Sequence, residues 1–354
     1  MGVRNITVVT LLLLASLIST ACGGGSGNQP ASPNFAKLTP TCFAASASNP
    51  ILTGDSQFTG SDWNDPSVIK VGNQYVMYAS SDHSLDLNIA IYRMVSNDGL
   101  NWTLSPATPV LQADASAAVW DHRAVETPSV VYFNGQYHMF YTGYPLTYAD
   151  STSYRIGHAT SPDGITWTRD ASNPIVAPTD PTVTTPLWKF NQSVTAEPAA
   201  VVFNNKIYLY YSAVGTNKTD GTIQVIGLVT SSDGTNWSTQ QEVLRPDQAL
   251  YPIASWFGYS TPAAVVLNGK MHLFYDVAQA SPWKQHKIHH ANSGDGITGW
   301  TEDSAAIYSN TDFAWTADEI RSPSVLLDGT SLYMWFAGST ATPTFSIGQA
   351  KCAL

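Results

Sequence analysis

Charge is scarce in this 354-residue chain: Asp, Glu, Lys and Arg together make up 12% of it. That is about half the usual share of a soluble domain. Lys and Arg number 16 against 26 Asp and Glu, a formal charge of -10, and no basic run occurs anywhere. A nucleic-acid partner is excluded, because phosphate requires a positive surface. Cysteine is nearly absent, with three residues, which excludes a disulfide-dense scaffold. No His/Cys cluster or carboxylate run suggests a dedicated metal site, and no cofactor is implied; a single cation on a central axis is the most the sequence leaves room for. What fills the chain instead is 11 Trp, 17 Tyr and 12 Phe, with 25 Gly and 21 Pro. Those are residues of strands and turns, whereas amphipathic helices want Ala, Leu, Glu and Lys. Disorder is excluded as well, because 44% hydrophobic residues can form a core.

The first residues read as an address. Arg4 precedes an apolar stretch from Ile6 to Ile18, too short to span a bilayer and of the length of a signal-peptide core. The ending Ser19-Thr20-Ala21-Cys22 resembles a bacterial lipobox, with Ser19 where Leu is usual; the resemblance implies that Cys22 is lipidated and becomes the mature N-terminus. Residues 1–22 are then a lipoprotein signal, 23–41 a flexible Gly/Ser/Pro tether, and 42–354 the folded part. The expectation is a lipid-anchored, exported monomer of the bacterial cell envelope, at the outer membrane or cell surface, touching the membrane only through that lipid.

The folded part repeats. NDPSVIKVGNQYVMYASS at 64–81 recurs as ETPSVVYFNGQYHMFYTG at 126–143 and EPAAVVFNNKIYLYYSAV at 197–214. TPAAVVLNGKMHLFYDVA at 261–278 and SPSVLLDGTSLYMWFAGS at 322–339 follow. Each copy is two β-rich runs around a Gly/Asn turn, which is a hairpin signature. A second module follows four of them: MVSNDGLNWT, IGHATSPDGITWT, IGLVTSSDGTNWS and IHHANSGDGITGWT. Its S-x-D-G-x-x-W core resembles the Asp box, a hairpin turn. Two hairpins every 60 to 70 residues or so make four-stranded blades. The expected fold is all-β: a five-bladed β-propeller with four antiparallel strands per blade.

The fifth copy ends at FSIGQAKC, 345–352, without a fourth strand. SNPIL at 48–52 matches SNPIV at 172–176, which places Phe43 at the position of Trp167 and Cys352 at that of Ser161. An N-terminal strand therefore completes the last blade, and Cys42 and Cys352 form a disulfide where the fifth turn would be.

The long connections all leave from one face, where the residues preceding each shared proline ring the axis: Asn64-Asp65, Glu126-Thr127, Ala196-Glu197, Ser260-Thr261 and Arg321-Ser322. Three carboxylates and one Arg converge there in a chain poor in charge, which points to function. Pro66 is expected to hold Asp65 in an extended backbone. Each link into the ring carries a Trp (Trp63, Trp120, Trp188, Trp256, Trp315), flat faces that suit sugar rings, although each alone also suits packing. Trp63-Asn64-Asp65-Pro66 resembles the first-blade signature of five-bladed glycoside hydrolases, families 43 and 32. The resemblance implies Asp65 as general base or nucleophile, an acid two blades on and a proton donor one blade later. Glu197 occupies the third-blade place, Ser260-Thr261 offers no acid in the fourth, and Glu126 is an additional carboxylate in the second. Either Glu126 or Glu197 then donates the proton, or the protein binds glycan without cleaving it. His122, Arg123 and Arg321 are candidate substrate contacts, with Trp63, Asn64, Trp188, Trp256 and Trp315. The expected partner is a poly- or oligosaccharide.

Overall fold

The computed structural model describes residues 38–54, 62–81, 89–114, 120–144, 154–179, 190–191, 193–217, 221–281, 284–341 and 344–354. A short strand β1 (Ala44–Ala45) comes first. Then follow β2 (Asn64–Val71), β3 (Gln74–Ser81), β4 (Ala90–Ser96) and β5 (Thr103–Leu104). The second group is β6 (Ala124–Phe133), β7 (Gln136–Tyr144), β8 (Arg155–Ser161) and β9 (Thr168–Arg169). The third is β10 (Val194–Phe203), β11 (Lys206–Asn217), β12 (Gly221–Ser231) and β13 (Gln241–Leu244). Next come β14 (Trp256–Leu267), β15 (Lys270–Gln279), β16 (Gln285–Ser293), β17 (Thr301–Glu302) and β18 (Tyr308–Ser309), and last β19 (Glu319–Asp328), β20 (Ser331–Ala341) and β21 (Thr344–Ala353). The all-β reading and its antiparallel four-stranded sheets hold: β2-β3-β4-β5, β6-β7-β8-β9 and β1-β21-β20-β19 are each such a sheet.

The third and fourth repeats depart from separate sheets. They join through one parallel pair, Gln224 with Gly258, into a nine-stranded sheet. The join requires glycine: Gly258 sits at φ 147, and a Cβ there would lie 2.0 Å from the Gln224 carbonyl oxygen.

Tight turns connect the hairpins because their residues tolerate positive φ. Asn134, Asn204, Asn205 and Asn268 lie at φ 48 to 57, beside Gly72, Gly135, Gly269 and Gly329. The S-x-D-G turns close by side-chain bonds. At the second repeat Ser161 Oγ accepts from the Asp163 and Gly164 N–H groups at 3.2 and 2.8 Å. Asp163 Oδ1 accepts from Ile165 N and Thr166 N, each at 2.8 Å. The turns at Asp98, Asp233 and Asp295 repeat the pattern.

The core lies between neighbouring sheets, and one contact recurs there. An aromatic of each second strand meets the turn aromatic of the next sheet edge-on: Tyr78 with Trp167, Phe140 with Trp237, Tyr210 with Trp300, Phe274 with Phe43 and Trp335 with Trp102, at 5.4–6.3 Å. Such pairs contribute about 0.5–1.5 kcal/mol each beyond area burial. Phe43 thus takes the place that Trp holds in the other four.

β1 pairs with β21 in the register Ala44 to Lys351, and Leu52 bridges Ile347 as Val176 bridges Ile156. Cys42 and Cys352 form a disulfide, 310 residues apart in sequence with Cα atoms 5.0 Å apart. Both chain ends of the described fold, near Cys42 and Leu354, therefore lie at the end of the strands that carries the turns. The ring residues Asn64, Glu126, Ala196, Ser260 and Arg321 lie at the opposite end.

Candidate active site

At the ring each inner strand slips register by one residue, a β-bulge. The partner changes between Asn64 and Ser67, Glu126 and Ser129, Ala196 and Ala199, Ser260 and Ala263, and Arg321 and Ser324. The shared proline falls inside the slip, where its missing N–H costs no ladder bond. The residue before it turns left-handed: Asp65, Thr127, Glu197, Thr261 and Ser322 have φ of 40 to 56. The extended backbone expected for Asp65 is therefore corrected; its φ is 50. Proline disfavours a right-handed helical residue before it, and here the bulge takes the left-handed alternative.

Hydrogen bonds hold these conformations. The Thr127, Glu197 and Thr261 N–H groups donate to Ser80, Thr142 and Ser212 on the second strand of the preceding repeat, at 2.9, 2.8 and 3.1 Å. The Ser322 N–H donates to Asp276 at 3.1 Å. The five bulge residues and their prolines line a narrow throat of about 30 Å³ on the axis. Beyond it, toward the hairpin turns, the axis widens into a cavity of about 680 Å³ lined by the apolar middles of the inner strands. The larger cavity is thus on the far side of the throat from the bulges that carry the acids.

Asp65 is 7% exposed and accepts a hydrogen bond from Ser322 Oγ at 2.7 Å; Arg321 Nε in turn donates to Ser322 Oγ at 3.4 Å. Glu197 accepts from Thr261 N at 3.0 Å. Burial raises the Glu197 carboxyl above the ordinary range, opposed by the Arg321 charge. Glu126 goes further: burial first, then the Asp65 carboxylate, push it up to about 8. Arg321 lies close enough to lower both acids, and it also approaches Glu319 at 3.8 Å and covers the Phe345 ring. It therefore serves several acids and does not neutralise one.

Asp276 was invisible to the sequence reading. It arrives from β15, opposite Ser260, and is fully buried. Burial and the neighbouring Glu197 push its carboxyl up to about 7. The fourth repeat thus does bring an acid to the ring, from its second strand. One signal was available: aligned repeats read Ser80, Thr142, Ser212, Asp276 and Ala337 at this position, and only one is ionisable.

The other site candidates divide. Trp63 has no exposed surface and packs edge-on against Tyr92, which leaves it to the core. Trp256 is partly exposed, stacked by the Lys287 ammonium at 5.0 Å, and Trp315 is partly exposed on the Phe336 ring. Asn64 is half-buried, its Oδ1 unpaired among the described residues. His122 and Arg123 are half-buried just ahead of β6, and Arg123 N donates to the Tyr144 carbonyl at 3.2 Å. Trp188 and Cys22 lie outside the described residues. Among the described residues no group of three His, Cys, Asp or Glu is arranged to hold a metal ion.

Comparisons with known proteins show what this all-β arrangement of antiparallel sheets is similar to. The family model for the glycosyl hydrolases family 32 N-terminal domain matches residues 126–252. A family 117 glycoside hydrolase from the marine bacterium Zobellia galactanivorans superposes with a TM-score of 0.61 at 16% identity, covering 88% of this chain and 90% of that one. An alpha-L-arabinofuranosidase from Lactobacillus brevis gives 0.61 at 12%, covering 85% and 92%, and a thermostable family-43 glycoside hydrolase 0.59 at 14%, covering 84% and 91%. At these identities the likeness establishes the shared fold. No curated protein sequence matches the chain.

Proposed function

We propose that the chain is a five-bladed propeller, closed by its N-terminal strand, that hydrolyses glycosidic bonds of a poly- or oligosaccharide at the acidic ring. The observation that carries this reading is the pairing of two acids at the ring: Glu126, whose carboxyl burial raises, and Asp65 beside it, supported by the Ser322 hydroxyl. Glycoside hydrolysis needs one protonated and one ionised carboxyl flanking the bond. Glu126, held near a pKa of about 8, carries a proton at neutral pH, and Asp65 sits beside it, hydrogen-bonded by Ser322. In this reading Glu126 protonates the leaving oxygen and Asp65 acts as base or nucleophile. Glu197 is the weaker candidate for donor, since the Thr261 N–H bond favours its ionised form. Blade count and closure are supported by the cyclic recurrence of the edge-on aromatic contact, in which Phe43 stands for the fifth turn aromatic.

A second reading, glycan binding without cleavage, is favoured by Ser260-Thr261 opening the fourth inner strand while the nearest acid, Asp276, has no exposed surface. Screening aryl glycosides and polysaccharides for hydrolysis, alongside a glycan array, separates the two. Turnover that survives Asp65→Asn intact would sink the hydrolase reading. Lipidation at Cys22 and export to the envelope belong to the same proposal, and unchanged maturation of Cys22→Ala would remove them.

A further inference from the structure

Each second strand places one residue opposite the bulge of its own inner strand: Ser80, Thr142, Ser212, Asp276 and Ala337. In three repeats it is a hydroxyl that accepts the N–H of the next bulge. Asp276 does the same for Ser322 N at 3.1 Å. A hydroxyl would suffice for that. In its place stands a fully buried carboxylate that also accepts hydrogen bonds from Ser260 Oγ and Thr261 Oγ1. A buried carboxylate is tolerated only when so bonded, and it holds its donors more tightly than a hydroxyl can.

The residues it holds are the ones that hold two acids of the ring. Thr261 N donates to Glu197 Oε2 at 3.0 Å, and Ser322 Oγ donates to Asp65 Oδ1 at 2.7 Å. The geometry points to Asp276 as a positioning residue that ties Asp65 and Glu197 into one frame through Ser322 and Thr261, an inference that rests on reading the ring as the hydrolytic site. The groups facing Asp276 are Glu197 from β10, Arg321 and Ser322 from β19, and Ser260 and Thr261 from β14. Its carboxyl and that of Glu197 therefore titrate against each other.

Asp276→Ser restores the residue found in the first and third repeats, and Asp276→Asn keeps the shape without the charge. In the full chain both are expected to melt cooperatively and to lose about 10–100-fold in kcat, with KM changed far less, as misplacement of a reacting group does. Carbon-13 titration of the glutamate carboxyls, with Glu197 assigned through Glu197→Gln, should show its midpoint fall in Asp276→Asn, because a neighbouring negative charge has gone. A folded Asp276→Ser protein with the parent kcat and an unmoved Glu197 midpoint would overturn the tie. The titration needs no substrate. A moved midpoint without hydrolysis by any preparation would sink the glycosidase reading and keep the tie; an unmoved midpoint with intact hydrolysis would sink the tie alone. Should both variants fail to fold, Ser322→Ala cuts the link to Asp65 and leaves Asp276 in place. It is expected to lower kcat similarly with the Glu197 midpoint unchanged, and full activity would refute the proposal.

Discussion

The carboxylates at the two ends of the strands live in opposite environments. Asp98, Asp163, Asp233 and Asp295, in the turns, face water and collect backbone N–H donors, which hold their carboxyls below the ordinary range. In the ring, Asp276 is buried and Glu126 and Glu197 are half-buried near it, and desolvation raises all three. The same chemical group is a structural clamp where donors surround it and a proton carrier where acids crowd it. Among the described residues, low exposure beside like charge is therefore what separates the ring acids from the acids that shape a turn.

The position where the turn pattern breaks carries the largest expected stability effect. Cys42–Cys352 stands where a fifth S-x-D-G turn would be, and its loop is long. Cys42→Ser with Cys352→Ser should cost about 2–5 kcal/mol by the chain-entropy argument, read by denaturant unfolding. An unchanged midpoint would mean that the aromatic and strand contacts alone close the ring.

In the ring, Asp65→Asn should lower kcat by about 10²-fold or more, about 2.7 kcal/mol of barrier, with little change in melting temperature. Glu126→Gln should cost less on substrates with good leaving groups than on natural glycans. It should also remove a basic limb near pH 8 from the kcat/KM profile, since a donor with a pKa of about 8 is lost as pH rises through that value. A limb that persists in Glu126→Gln would transfer the role to Glu197.

The pH dependence of stability should divide the two ends in sign. Glu126, raised in the fold, contributes stability fully present below its ordinary 4.5 and lost as pH rises through about 8. Asp163, lowered in the fold, contributes stability present above its ordinary 3.8 and lost as pH falls toward about 2. Melting curves of Glu126→Gln and Asp163→Asn against pH would show it: the first should flatten the alkaline side, the second the acid side. Asp163→Asn should leave kcat untouched, the smallest effect of the set, and a loss of activity would break the comparison.

Much of this was legible in the chain because it is written at short range. A hairpin needs its Asn or Gly where φ is positive, and a clamp needs Ser, Asp and Gly at fixed spacing. So repeats, turns and strand order could be read without a structure, as could the match of residues 48–52 to 172–176 that foretold the Cys42–Cys352 disulfide. Asp65 stood out because it sits in a short motif before a proline. Asp276 was missed, and the choice between packing and sugar contact stayed open for Trp63, for one reason: which face of a strand is buried, and what lies across it, depends on the neighbouring repeat.

Periodicity and local backbone preference are properties of consecutive residues, and by themselves they determined an all-β chain of repeated hairpins with acids gathered before its prolines. Proton affinity and hydrogen-bond partnership depend on groups far apart in the chain. Only the tertiary structure could turn the bulge residues left-handed, put Asp276 under the fourth and fifth inner strands, bury Trp63 and set Glu126 against Asp65. Those outcomes follow from packing one sheet beside the next, where desolvation and like charge act through space and not along the sequence.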